Sequence, residues 1–173
     1  MSRTILNFII LFIVLVLVQV IVCNRICLFN IAVPIIFIYF IIRLPVSLGV
    51  NWVMTLSFIL GLTIDIFSNT QGMNALACTL TGALRKPILG LYLPREDDMG
   101  NPIPSSKSLG IEVYMKYLSS MIVLYCIFIF SIQSFSLFNF QLLVLRVAGS
   151  SILTFIILLG FDSIANTRRE KRL

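Results

Sequence analysis

The chain has 173 residues, 59% of them hydrophobic and 12% charged, with a mean hydropathy of +1.05 and a formal net charge of +6. A soluble domain averages about 25% charged residues and could not hide this much apolar surface, so the composition excludes an ordinary water-soluble fold and reads as one integral membrane domain, residues 1–173. The positive balance gathers in the tail "TRREKRL", and no basic face with interleaved aromatics lies outside the apolar runs, so the basic partner is anionic lipid and not nucleic acid.

Residues 5–23 form the first apolar run, interrupted only by Asn7 and Gln19. It is too long for the apolar part of a signal peptide and no small-residue cleavage site follows, so a retained transmembrane helix is predicted. A second run, about 28–43, is short and contains Pro34; snorkelling of Arg43 lengthens it enough to predict a second span. Leu44-Pro45 and Gly49 mark a turn. A third run covers 50–67, the polar stretch Ser68 to Gly72 makes a second turn, and a fourth run covers 73–93, broken by Arg85-Lys86-Pro87. The polar loop 94–116 holds three of the six prolines and the charge cluster Arg95 to Asp98. A fifth run (117–132), a sixth (140–161) and the basic tail 166–173 complete the chain.

This pattern predicts an all-α bundle of about six transmembrane helices. With both termini cytoplasmic, Arg3, Arg43, Arg85, Lys86, Arg95, Lys107, Lys116 and the four tail cations fall inside, and only Arg25 and Arg146 fall outside. If the second run did not cross, Arg3 would lie outside and the split would be poorer.

Charges inside spans cost about 2.5–3.5 kcal/mol at the centre, so each needs a reason. Asp65 lies near the outer end of the third run and Arg146 at a similar depth in the sixth. They are placed either to pair across the bundle or to sit separately at the interface. Arg85 and Lys86 lie in the inner half of the fourth run, where Asp162 could reach one of them; alternatively that helix ends near Leu84 and the following segment lies on the membrane surface. Ser57 and Gly61 share a side of the third run with Asp65. Ala75, Thr79 and Ala83 make a small-residue stripe on the fourth, and Arg146, Ser150 and Thr154 follow one side of the sixth. Such spacing lets helices approach closely, so the third, fourth and sixth are expected to form the tight centre. The remaining helices, the first in particular, are nearly all large aliphatics and are expected to face lipid or a partner.

The chemistry of an enzyme is missing. There is no histidine, no nucleophile elbow and no phosphate-binding glycine loop. Four cysteines without histidine or a carboxylate cluster at ligand spacing read as small buried apolar residues, so no metal or cofactor is expected. Glu96, Asp97 and Asp98 read as a solvated loop. No catalytic residue is assigned.

The block "GLTIDIFSNTQGMNA", followed by a small-residue helix and "LRKP", resembles the MreD family of rod shape-determining proteins in its Bacteroidetes form. Gly61, Asp65, Asn69, Gly72 and Asn74 carry the specific part of the likeness. The length, the spans, the polar inner loop and the basic tail extend it over the chain. Gln71 departs from the proline usual there, which loosens the turn. The resemblance implies a multi-pass protein of the bacterial inner membrane that is not an enzyme. It implies binding to MreC, a place in a wider complex with RodA, penicillin-binding protein 2 and the MreB filament, and regulation of lateral peptidoglycan synthesis and cell shape. It also implies a fold similar to the substrate-binding subunits of energy-coupling-factor transporters, which supplies the alternative reading of a small-molecule-binding subunit of a vitamin-type transporter. Those subunits dock through an alanine-rich motif on their first helix, and the first run here has neither Ala nor Gly. Candidate structural or partner-facing residues are therefore Gly61, Asp65, Asn69, Gly72, Asn74, Arg85 and Arg146.

Overall fold

The computed structural model describes residues 2–21, 23, 33–92, 103–104, 109–134 and 140–170. Cys27, Arg25, Arg95, Lys107, most of the polar loop and the end of the tail lie outside the described residues. Among the described residues the fold is helical, with no strand. The helices are α1 (Ser2–Ile21), α2 (Ile38–Arg43), α3 (Val50–Ser68), α4 (Met73–Tyr92), α5 (Ile111–Ser134) and α6 (Phe140–Glu170). Among the described residues three stretches, Val50–Ser68, Ile111–Gln133 and Leu143–Asp162, are long and apolar enough to cross a membrane. At 1.5 Å per residue, even the shortest of them comes close to the roughly 30 Å hydrocarbon layer. This is a membrane protein.

The outward surface fits that solvent. Leu6, Ile9, Ile13 and Leu17 of α1 are each about half exposed, and Trp52, Ile66 and Phe67 of α3 are more so. In water such a surface would aggregate, whereas against lipid tails it is neutral.

The helices follow one another in space. α3 and α4 form a tight antiparallel hairpin, α5 packs on α4, and α6 packs on α5. α2 touches α1, α4 and α5. Its residues Ile38 to Ile42 are all buried, so this short helix is the centre of the core. Phe40 of α2 meets Phe12 of α1 edge to face at 5.4 Å, and Phe37 meets Tyr125 of α5 at 5.5 Å. The expected tight centre of the third, fourth and sixth helices is thus corrected. α6 lies against α5, and the close contacts are made within the α3–α4 hairpin.

The second apolar run is not one helix. Residues 33–36 are non-helical and α2 begins only at Ile38; residues 28–32 lie outside the described residues. Pro34 has no N–H to offer a helix. The neighbouring amides are met by side chains far away in sequence. The Val33 N–H donates to Ser150 Oγ at 3.1 Å, and the Ile35 N–H to Thr154 Oγ1 at 3.0 Å. Gln19 of α1 clamps the segment from the other side. Its Nε2 donates to the Pro34 carbonyl at 3.0 Å and its Oε1 accepts from the Ile36 N–H at 2.9 Å. Irregular backbone inside a membrane persists only where protein groups replace water, and these three polar side chains do that. Thr154→Val, which keeps the shape and removes the acceptor, should therefore cost about 1–3 kcal/mol, while Thr154→Ser should cost much less. Thermal unfolding of the purified protein in detergent reads both.

Two other boundaries move. α5 begins at Ile111, so residues 111–116 belong to a helix and not to the loop 94–116; Glu112 and Lys116 join one turn apart at 2.7 Å. α6 runs beyond the predicted end at 161 to Glu170. α4 does not stop near Leu84: it continues through Arg85, Lys86 and Pro87 to Tyr92.

Candidate functional site

The α3–α4 turn draws together five of the seven candidate residues, each with a distinct physical task. α3 ends at Ser68 because Asn69 adopts the left-handed conformation (φ 53°, ψ 42°), its N–H returning to the Asp65 carbonyl. Asn is one of the few side chains that tolerate this geometry, and it is a common way to close a helix. The Thr70 N–H reaches the same carbonyl at 3.1 Å. Gly72 has φ +76°, which an L side chain resists, and its carbonyl accepts the Leu76 N–H at 3.0 Å to start α4.

Asp65 closes the turn. Its carboxylate is buried, only 3% of the residue being exposed. Oδ1 accepts from the Asn74 N–H at 3.1 Å, from Asn74 Nδ2 at 2.8 Å and from the Thr70 hydroxyl. Oδ2 accepts from the Ala75 N–H at 2.8 Å. The first amides of a helix lack intrahelical partners and carry the positive end of its dipole. Asp65, on the last turn of one helix, thus serves as the anionic cap of the next. Asn74 passes the network on: its Oδ1 accepts from Tyr125 Oη at 2.7 Å, tying the turn to α5.

Gly61 explains why the hairpin is tight. A Cβ there would lie 2.5 Å from both Ala75 Cα and the Asn74 carbonyl oxygen. One helical turn before it, the small Ser57 meets Gly82 of α4. The small-residue stripe on α4 is therefore Ala75 and Gly82, seven apart; Thr79 and Ala83 are only half-buried.

The proposed pair of Asp65 with Arg146 is not formed, and Asp65 is not exposed at an interface either. The turn and the start of α4 supply all its partners, and Arg146 sits half-buried on α6. Opposite charge is one way to satisfy a carboxylate, and four nearby N–H and O–H donors are another that requires no distant cation.

The other candidate cation, Arg85, lies eleven residues after Asn74, about 16 Å further along α4. It is buried, and its guanidinium donates to the carbonyls of Leu44 and Pro45, the second at 3.4 Å. Those carbonyls follow the end of α2, where a cation complements the helix dipole. α2 stops there because Leu44 precedes proline and is extended (ψ 143°). Asp162, at the inner end of the sixth run, has partners on α2. It accepts from Tyr39 Oη at 2.9 Å and lies 3.8 Å from Arg43, whose guanidinium sits 5.3 Å over the Tyr39 ring. Arg85→Met should thus leave two carbonyls without their donor and cost about 2 kcal/mol, and Arg85→Lys should recover only part because a point charge cannot fork to both. The midpoint of thermal unfolding in detergent checks it.

Sequence reasoning missed Thr70, Tyr125 and Gly82. It saw Gln19, Ser150 and Thr154 without seeing that they hold an unwound segment. Among the described residues there is no cluster of three potential metal ligands, and Cys23, Cys78 and Cys126 are buried free thiols. No family model matches this chain, and no match was found among curated proteins or solved structures.

Proposed function

We propose that this chain is an MreD-type scaffold. In this reading it is a multi-pass protein of the bacterial inner membrane with both termini cytoplasmic and a fold similar to the substrate-binding subunits of energy-coupling-factor transporters. It binds MreC and, through the complex with RodA, penicillin-binding protein 2 and the MreB filament, regulates lateral wall synthesis. It performs no catalytic step.

One observation carries the reading. The residues on which the family likeness rests are all spent on architecture. Gly61 admits α4, Asn69 and Gly72 shape the turn, and Asp65 and Asn74 lock it. Asp65 is buried with four donors of the turn and of α4 on its carboxylate, so its chemistry is spent on holding the hairpin, and the block suits presentation of a rigid hairpin end. Ile66 and Phe67 stand exposed beside it, and α1 offers a continuous aliphatic face, both suited to contact with another membrane segment.

The test is photocrosslinking in cells from Ile9 and Ile13 of α1 and from Ile66, with co-purification of MreC. The expected result is an MreC adduct from at least one of these faces, together with rounding of rod-shaped cells on depletion. Retained rod shape on depletion, with no MreC captured, overturns the proposal.

A further inference from the structure

The hairpin lock forms one wall of a cavity of about 170 Å3. Four separate parts of the chain converge on it: Gln19 of α1, the unwound residues Val33 and Ile35, the α3–α4 turn with Thr70 and Asn74, and the end of α5 from Tyr125 to Gln133. Its lining is divided in kind. Val33, Ile35, Phe37, Ile64, Ile129 and Phe130 give an apolar side, and Gln19, Ser68, Thr70, Asn74, Tyr125 and Gln133 give a polar, uncharged one. Among the described residues no Asp, Glu, Lys or Arg lines it.

We propose that this cavity is a binding site for a small uncharged molecule, a single ring carrying one hydrogen-bonding substituent. Three observations lead there. The size exceeds the roughly 150 Å3 cavity that takes up benzene elsewhere, and leaves room for a polar group of a few atoms. The walls are held in advance: Tyr125 is fixed by its bond to Asn74 and its edge contact with Phe37, and Gln19 by its two bonds to the unwound segment. A preformed pocket of apolar walls with a few fixed polar groups is the usual form of a small-molecule site. Finally, non-helical backbone at membrane depth lies at the cavity wall, which is where broken helices in membrane proteins place their ligands. Among the described lining residues no counter-charge waits for a charged ligand, whose desolvation would go uncompensated, so an uncharged one is favoured.

The site does not depend on the scaffold reading, and its test uses the purified chain without partners. The probes are benzamide, benzoate and benzamidinium, which share a shape and differ in charge, titrated against the full chain in nanodiscs by ligand-observed NMR. Saturable benzamide binding is expected, with benzoate and benzamidinium at least tenfold weaker. Ile129→Trp, which fills the apolar side, should abolish it. Gln133→Trp should weaken it at least tenfold; Gln133 is exposed, so this variant narrows the cavity without disturbing the core. Absence of saturation with benzamide, equal affinity for benzoate, or unchanged benzamide affinity in folded Gln133→Trp protein overturns the inference. Loss of MreC capture with benzamide binding intact counts against the scaffold reading alone.

Discussion

Replacing Asp65 with alanine should lower the stability of the protein by about 3–5 kcal/mol, the largest effect expected of any single polar side chain here. The substitution strands the Asn74 and Ala75 amides, the Asn74 side-chain amide and the Thr70 hydroxyl at once. Each buried group left without a partner costs about 1–3 kcal/mol, while the bond that already joins the Asn74 side-chain amide to Thr70 at 3.2 Å remains. Asp65→Asn should fall between. One oxygen still accepts, but the new NH2 faces a donor, so about half the loss is expected. In a chain of this length 1 kcal/mol moves the unfolding midpoint by about 2–4 °C, so Asp65→Ala should shift it by roughly 6–20 °C in detergent. Arg146→Gln should stay within about 1 kcal/mol of the parent, and exchanging the two charges should be no better than Asp65→Arg alone. A charge exchange that restores stability would falsify the capping role and reinstate the ion pair.

The contrast between Asp65 and Arg146 also shows what the chain made legible. The hairpin could be read because it is contiguous: Gly61 to Asn74 is one stretch, and its glycines, asparagine and small residues have local conformational meanings. The partners of Asp65 could not be read by matching charges, since all are uncharged and two of the donors are backbone amides of the next helix, nine and ten residues on. Hydropathy failed in the same way at residues 33–36. A buried unwound segment is as apolar as a helix, and what distinguishes it is Ser150 and Thr154, 117 and 119 residues away. The start of α5 was obscured for the opposite reason. Glu112 and Lys116 look like loop residues by charge, yet at this spacing they face each other on a helix and support it.

The second large effect concerns Gly61, and Gly82 supplies its control. A methyl group at Gly61 would meet the Ala75 Cα at 2.5 Å, the Asn74 carbonyl at 2.5 Å and the Ala75 nitrogen at 2.7 Å. All three are backbone atoms of the first turn of α4, so no side chain can turn aside and the two helices must separate. Overpacking typically costs 1–3 kcal/mol. Here the displaced atoms include the Ala75 N–H that binds Asp65, so the separation also stretches the cap, and Gly61→Ala should cost about 3 kcal/mol or more. Gly82 is equally close to its neighbour, 2.6 Å, but that neighbour is the Ser57 hydroxyl, which is buried without a partner. It can rotate or be removed. Gly82→Ala should therefore cost about 1–2 kcal/mol, and Ser57→Ala should recover most of it, giving a favourable coupling in a double-mutant cycle of thermal unfolding. No such rescue is available at Gly61, since shortening Ala75 to glycine leaves the Asn74 carbonyl and the Ala75 nitrogen in place. If the hairpin end is what the partner grips, MreC co-purification should fall with Gly61→Ala and persist with the Ser57→Ala, Gly82→Ala pair, separating helix contact that merely packs from helix contact that sets the geometry of the turn.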